Sequence, residues 1–69
     1  GIDEIEDFQP GIDRINFRRL GISRADISIE PSIGLGFSGS TVVSVRGREL
    51  IVLEGVETDD LSLRRDFLV

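Results

Sequence analysis

Five carboxylates crowd the start of the chain: Asp3, Glu4, Glu6, Asp7 and Asp13. Hard carboxylate oxygens suit calcium, which takes about six to eight oxygen ligands. The ordered acidic loop and distal glutamate of an EF-hand are absent, so any calcium here is held by a looser set. The plainer alternative is a solvated acidic turn, since runs of charge usually face water. Other chemistry is narrowed by missing residue types. The chain has no histidine and no cysteine, which removes zinc sites, thiolate chemistry and a histidine base. It has no lysine either, because all eight basic residues are arginine. Ser23, Ser28, Ser32, Ser38, Ser40, Ser44 and Ser62 therefore have neither histidine nor lysine to activate them. No carboxylate pair stands out as an acid and a base, and the chain is expected not to be an enzyme.

Residues 34–39 read Gly-Leu-Gly-Phe-Ser-Gly, a literal G-x-G-x-x-G. A dinucleotide loop of that form must open a helix whose N-terminus holds the pyrophosphate. Here Ser40-Thr41-Val42-Val43 follows, which is β-prone, so a nucleotide role is not expected. The stretch Gly34-Leu35-Gly36-Phe37 also resembles the carboxylate-binding loop of PDZ domains, with residues 27–30 as the strand before it. That resemblance implies backbone N–H groups offered to a peptide C-terminus. It supplies an alternative reading of function, a module that binds peptide C-termini. Gly39 departs from it, standing where an apolar strand residue is expected, and little chain follows for the flanking helix.

Length and charge bound the rest. Sixty-nine residues make one small domain. At 39 % hydrophobic residues the chain is not disordered by composition. A core of this size supplies about 3–5 kcal/mol unless something staples it, and without cysteine the staple is bound calcium or a packed neighbour. The net charge of −5 argues against nucleic acid as a partner. No apolar run is long enough to span a membrane, and there is no signal pattern. A start at Gly1 and the lack of any methionine read as a piece of a longer protein.

The elements that must position these residues follow from periodicity. Residues 2–9 read either way: Ile2, Ile5 and Phe8 fall at a helical spacing that suits a short helix, and Pro10-Gly11 stops helix or strand alike. Alternation predicts strands near 14–18, 26–30, 41–46 and 48–54, the second ended by Pro31. Gly47 joins the last two as a hairpin. The run 48–54 is apolar on both faces through its middle, which predicts burial on both sides there. Ile33, Leu35 and Phe37 are candidate anchors for the loop between the strands. Thr58 or Ser62 is placed to cap a helical turn near 61–66. The expected fold is all-β, a small antiparallel or β-roll C-terminal cap with one or two short helical turns. Its expected core is Phe8, Ile15, Phe17, Ile27, Ile29, Val43, Val45, Ile51, Leu53 and Phe67.

Three blocks in order resemble the C-terminal module that follows the calcium-binding repeats of repeat-in-toxin (RTX) proteins, including hemolysin-type and serralysin-like secreted proteins. They are Asp3-x-Ile5-x-Asp7-Phe8-x-x-Gly11-x-Asp13-Arg14-Ile15-Asn16-Phe17, the hairpin continuing through Leu53-Glu54-Gly55-Val56, and Leu61-Ser62 to Asp66-Phe67-Leu68-Val69. The resemblance implies a non-catalytic β-roll cap, secreted to the cell exterior by type I export. It implies the upstream repeats of the same polypeptide and the export machinery as partners. It makes Asp3, Asp7 and Asp13 the candidate calcium ligands, weak in the isolated module, and Asp66, Phe67, Leu68 and Val69 the secretion tail. The glycine-rich nonapeptide of the repeats is absent, so repeat-type calcium sites lie outside this chain. Asn16-Phe17-Arg18 also departs from the family pattern, and nothing in the resemblance explains Arg18-Arg19.

Overall fold

The computed structural model describes residues 2–32 and 39–69. Residues 33–38, which hold the proposed apolar anchors and most of both glycine-rich readings, lie outside the described residues. Strands β1 (Asp3–Ile5), β2 (Ile15–Asn16), β3 (Ile27–Pro31), β4 (Thr41–Val45), β5 (Arg48–Leu53) and β6 (Phe67–Leu68) carry the fold. It is all-β, with single 3₁₀ turns at Arg18–Leu20, Arg24–Asp26 and Thr58–Asp60. No helix among the described residues is long and apolar enough to cross a membrane.

The β4–β5 hairpin forms as its pattern predicts. Thr41, Val43 and Val45 face the core, and β-branched side chains suit the pleat. The two-residue connection has φ of +51° at Arg46 and +82° at Gly47, the positive values that a tight hairpin turn requires. Arg46 is an unusual choice there, and Asp26 helps to hold it. The Arg46 N–H donates to the Asp26 carbonyl at 2.8 Å, and its guanidinium lies 3.5 Å from the carboxylate. A bulge falls where Val43 pairs Ile51 and Ser44 pairs Glu49, leaving Leu50 as the extra residue. Beyond it Ile51, Val52 and Leu53 are all buried, as expected for a strand covered on both faces.

β3 adds to β4 antiparallel, from Ile27 opposite Val45 to Pro31 opposite Thr41. Pro31 is tolerated as the last residue of an edge strand. The sheet is mixed, because its other side is not antiparallel. β1 pairs with β5 in parallel, Asp3 opposite Ile51 and Ile5 opposite Leu53, in a sheet ordered β1-β5-β4-β3. The helical spacing of Ile2, Ile5 and Phe8 is overridden because β5 has an open edge to fill. The Glu54 N–H then donates to the Ile5 carbonyl at 2.9 Å and extends the pairing.

The second sheet is a single parallel pair: Ile15 opposite Phe67 and Asn16 opposite Leu68. The strand expected at 14–18 is shorter, because the chain turns into a 3₁₀ turn once Phe17 has donated its N–H to Leu68 at 2.7 Å. The helical turn expected near 61–66 is one non-repeating turn. It is closed by the Asp66 N–H on the Ser62 carbonyl at 2.9 Å, with Ser62 Oγ accepting from the Arg65 N–H at 3.3 Å.

Phe8, Phe17, Ile27, Val43, Val45, Ile51, Leu53 and Phe67 form the core, while Ile15 and Ile29 are only half-buried against it. Val56 joins them. Phe17 and Phe67 stack with ring centroids 6.1 Å apart and planes at 7°. Such a pair adds about 0.5–1.5 kcal/mol beyond its buried area. Thr41 is buried too, and its hydroxyl bonds the Val56 carbonyl and the Thr58 hydroxyl, both at 2.8 Å. That satisfaction is what lets a polar side chain sit in the core.

Candidate functional site

Asp66 is fully buried, in a chain whose other carboxylates mostly face water. Its Oδ1 accepts from the Gly11 N–H at 2.8 Å and from Arg65 Nε at 3.1 Å. Its Oδ2 accepts from the Ser62 N–H at 2.8 Å and from Arg65 Nη2 at 3.0 Å. A carboxylate has about four lone-pair directions, and these four donors use them. Burial alone would push the Asp66 pKa up. The Arg65 guanidinium and the N–H groups of Gly11 and Ser62 outweigh that and hold it below the usual carboxylate range.

Local sequence makes this convergence possible. Ser62 stands four residues before Asp66, the reach of one turn, so the carboxylate can return to the serine N–H. Gly11 has φ of +83°, a conformation only glycine adopts freely, and this places its N–H toward the tail. Arg65 lies over Gly11, and its guanidinium also reaches the Asp60 carbonyl at 2.6 Å. Arg24 supports the same segment, donating to the Leu63 carbonyl at 3.2 Å and the Phe67 carbonyl at 3.4 Å.

The tail residues therefore form a built structural unit. Phe67 is fully buried, and Leu68 and Val69 are half-buried. Sequence reasoning singled out Asp66 but missed its partners. Gly11 read as a breaker and as a member of the first family block, and Arg65 only as one of a surface pair. The available signal was the Ser62-to-Asp66 spacing beside a β-prone apolar tail.

Asp3 and Asp7 are exposed, on and just after the edge strand β1. Asp13 sits apart from them in function. Its Oδ2 accepts the Gln9 N–H at 2.9 Å, while its own N–H donates to the Gln9 carbonyl at 2.8 Å. One of its oxygens is thus engaged in closing the turn after Pro10. Among the described residues no three acidic side chains come together in an arrangement that could hold a metal ion.

The β1 edge carries one further feature. Glu54 follows β5 and is half-buried, and its Oε2 is shielded from water without a hydrogen-bond partner among the described residues. Burial pushes its pKa up, and the charges of Glu4 and Glu6 push it further. The charges of Glu4 and Glu6 therefore repel that of Glu54 along this side of the sheet.

Among the described residues no nucleophile and base are in contact, and the four donors leave no free hydrogen-bonding capacity at Asp66. Its chemistry is that of a clamp and an acidic strand edge. Comparison of the chain with protein-family models, with curated proteins and with solved structures finds no match.

Proposed function

We propose that the chain is a non-catalytic closing module of a secreted, RTX-like protein, with β1 lying against the last parallel coil of the same polypeptide. The observation that carries this reading is the orientation of β1. It is an edge strand running parallel to β5, so its outer side has room for a further parallel strand. An array of parallel coils leaves such an edge open, and a terminal unit with a different, polar outer face closes it.

Electrostatics supports the same partner. The repulsion of Glu54 by Glu4 and Glu6 is relieved by a positively charged neighbour, as a calcium-loaded coil would be. Asp3 and Asp7 are the residues this reading assigns to calcium at the junction. They do not make a calcium shell by themselves, and the coil would supply the remaining oxygens. Asp13 is the weaker candidate of the three, since the Gln9 N–H already takes one of its oxygens.

Residues 66–69 serve twice in this reading. In the unfolded chain they are the signal for type I export, and after folding they are the clamp. Burial of Asp66 and Phe67 makes the signal readable only before folding. Low calcium inside the cell would leave the junction open during export, and calcium outside would stabilise it by mass action.

The test joins glycine-rich calcium-binding coils ahead of Ile2 and follows thermal unfolding and calorimetric calcium binding. The chain alone should bind calcium weakly. The joined protein should bind it more tightly than the coils alone and should melt at a higher temperature when calcium is present. An unchanged melting temperature for the module, or a joined protein in which Asp3→Asn with Asp7→Asn has no effect, would remove the junction site. For the tail, normal export of a parent protein lacking residues 66–69 would restrict its role to structure.

A further inference from the structure

At the hairpin end of the sheet lies an open groove of about 420 Å³, lined by Leu20, Ile22, Val45 and Leu50 and flanked by Arg46 and Arg48. Its floor is apolar, and Leu20 remains 53 % exposed. No carboxylate lines it. Arg18 and Arg19 stand on the same 3₁₀ turn as Leu20. Among the described residues Arg18, Arg19 and Arg48 make no ion pair, and Arg46 makes only the one with Asp26.

This concentration of arginine needs a reason in a chain of net charge −5. Arg46 and Arg48 border an apolar depression, and Arg18 and Arg19 share the turn that carries its Leu20. The groove is within the size range of binding clefts, about 300–1,000 Å³, and is large enough for one or two apolar side chains. Guanidinium groups prefer planar carboxylates, which they bind bidentately. An apolar floor with cationic walls matches a segment whose apolar residues alternate with carboxylates.

We propose that this groove docks a linear acidic segment of a partner polypeptide, seating its apolar side chains against Leu20, Ile22 and Leu50 and its carboxylates against Arg46, Arg48 and the Arg18-Arg19 pair. The inference does not rest on the capping reading, since the groove lies at the hairpin end and β1 pairs only with the opposite half of β5.

The probe is a fluorescein-labelled peptide of sequence Ile-Asp-Glu-Ile-Glu-Asp-Phe, followed by fluorescence anisotropy against the whole 69-residue chain. Two controls replace either its acids by lysine or its apolar residues by serine. The probe should bind, weaken as salt rises, and lose affinity in both controls. Leu20→Ser and Arg48→Glu, at exposed positions, should each weaken it by about tenfold or more. Amide shifts in the unmodified chain should cluster at residues 18–22 and 45–50, a readout that needs no variant to fold. Absence of binding at millimolar peptide, equal binding of either control, or shifts confined elsewhere would overturn the proposal. Self-association in sedimentation equilibrium that Arg48→Glu abolishes would also overturn it, by giving the groove to a second copy of the chain.

Discussion

The backbone N–H of Gly11 donates to Oδ1 of Asp66 at 2.8 Å, across a separation of 55 positions in sequence. Next to this bond, Ile15 pairs with Phe67 and its N–H donates to the Asp66 carbonyl at 2.8 Å. The first turn and the last strand are thus one unit. Neither β2 nor β6 is long enough to persist alone, and their pairing depends on the clamp beside it. The molecule should accordingly lose its tail and its 9–17 segment together when it unfolds.

Asp66→Asn should destabilise the chain by about 1–3 kcal/mol, because an amide keeps one acceptor and turns a donor toward an N–H that has lost its partner. Asp66→Ala, which removes both acceptors from the Gly11 and Ser62 N–H groups, should cost more. Urea unfolding monitored by circular dichroism measures both. Equal midpoints for the unmodified chain and Asp66→Asn would show that the clamp contributes nothing.

Acid should unfold the protein in a way traceable to the same carboxylate. Folding holds the Asp66 pKa below its unfolded value, near about 3.9. Ionised Asp66 therefore stabilises the fold above that pH, and the stabilisation drains away as pH falls from about 4 through the lowered folded value. Asp26 acts in the same direction, its pKa lowered first by the Ser23 N–H at 3.0 Å and then by Arg46. Unfolding free energies between neutral pH and pH 2, in roughly half-unit steps, should fall less steeply for Asp66→Asn than for the unmodified chain.

Glu54 carries the opposite sign. Its pKa is raised in the folded chain, by burial first and then by Glu4 and Glu6. The ionised form is therefore a liability at neutral pH, and stability recovers as pH falls through the raised folded value toward the unfolded one. Glu54→Gln should be more stable than the unmodified chain at neutral pH, with the advantage vanishing below about pH 4, where both side chains are neutral. Thermal melts at the two pH values decide this, and a less stable Glu54→Gln at neutral pH would refute the repulsion.

Phe67→Ala removes a fully buried ring and its stack on Phe17. The loss should be about 3–5 kcal/mol, comparable to the whole stability of a domain this small. Proton NMR should show collapsed dispersion for this variant. Phe67→Leu, which keeps most of the volume, should remain folded at reduced stability.

Local pattern alone determined the hairpin, because the alternating β-branched run 41–46 and the apolar run 48–54 are separated only by Gly47, which leaves the two strands no distant partner to prefer. It also identified Ile27, Val43, Val45, Ile51, Leu53, Phe17 and Phe67 as core, since each is apolar at a position where its run must turn inward. The acidic start, the missing histidine and cysteine, and the special character of the last four residues were equally visible. What only the tertiary structure decided was every relationship between distant segments. Three residues of β1 have no intrinsic preference strong enough to choose strand over helix, and the free edge of β5 made the choice. The parallel pairing of β2 with β6 involves two residues on each side, far too few to leave a pattern. The role of Asp66 arose from a glycine, a serine and an arginine brought to it by the folded chain, for a hydrogen-bonding group records in sequence what it can bind but not which partner folding will deliver.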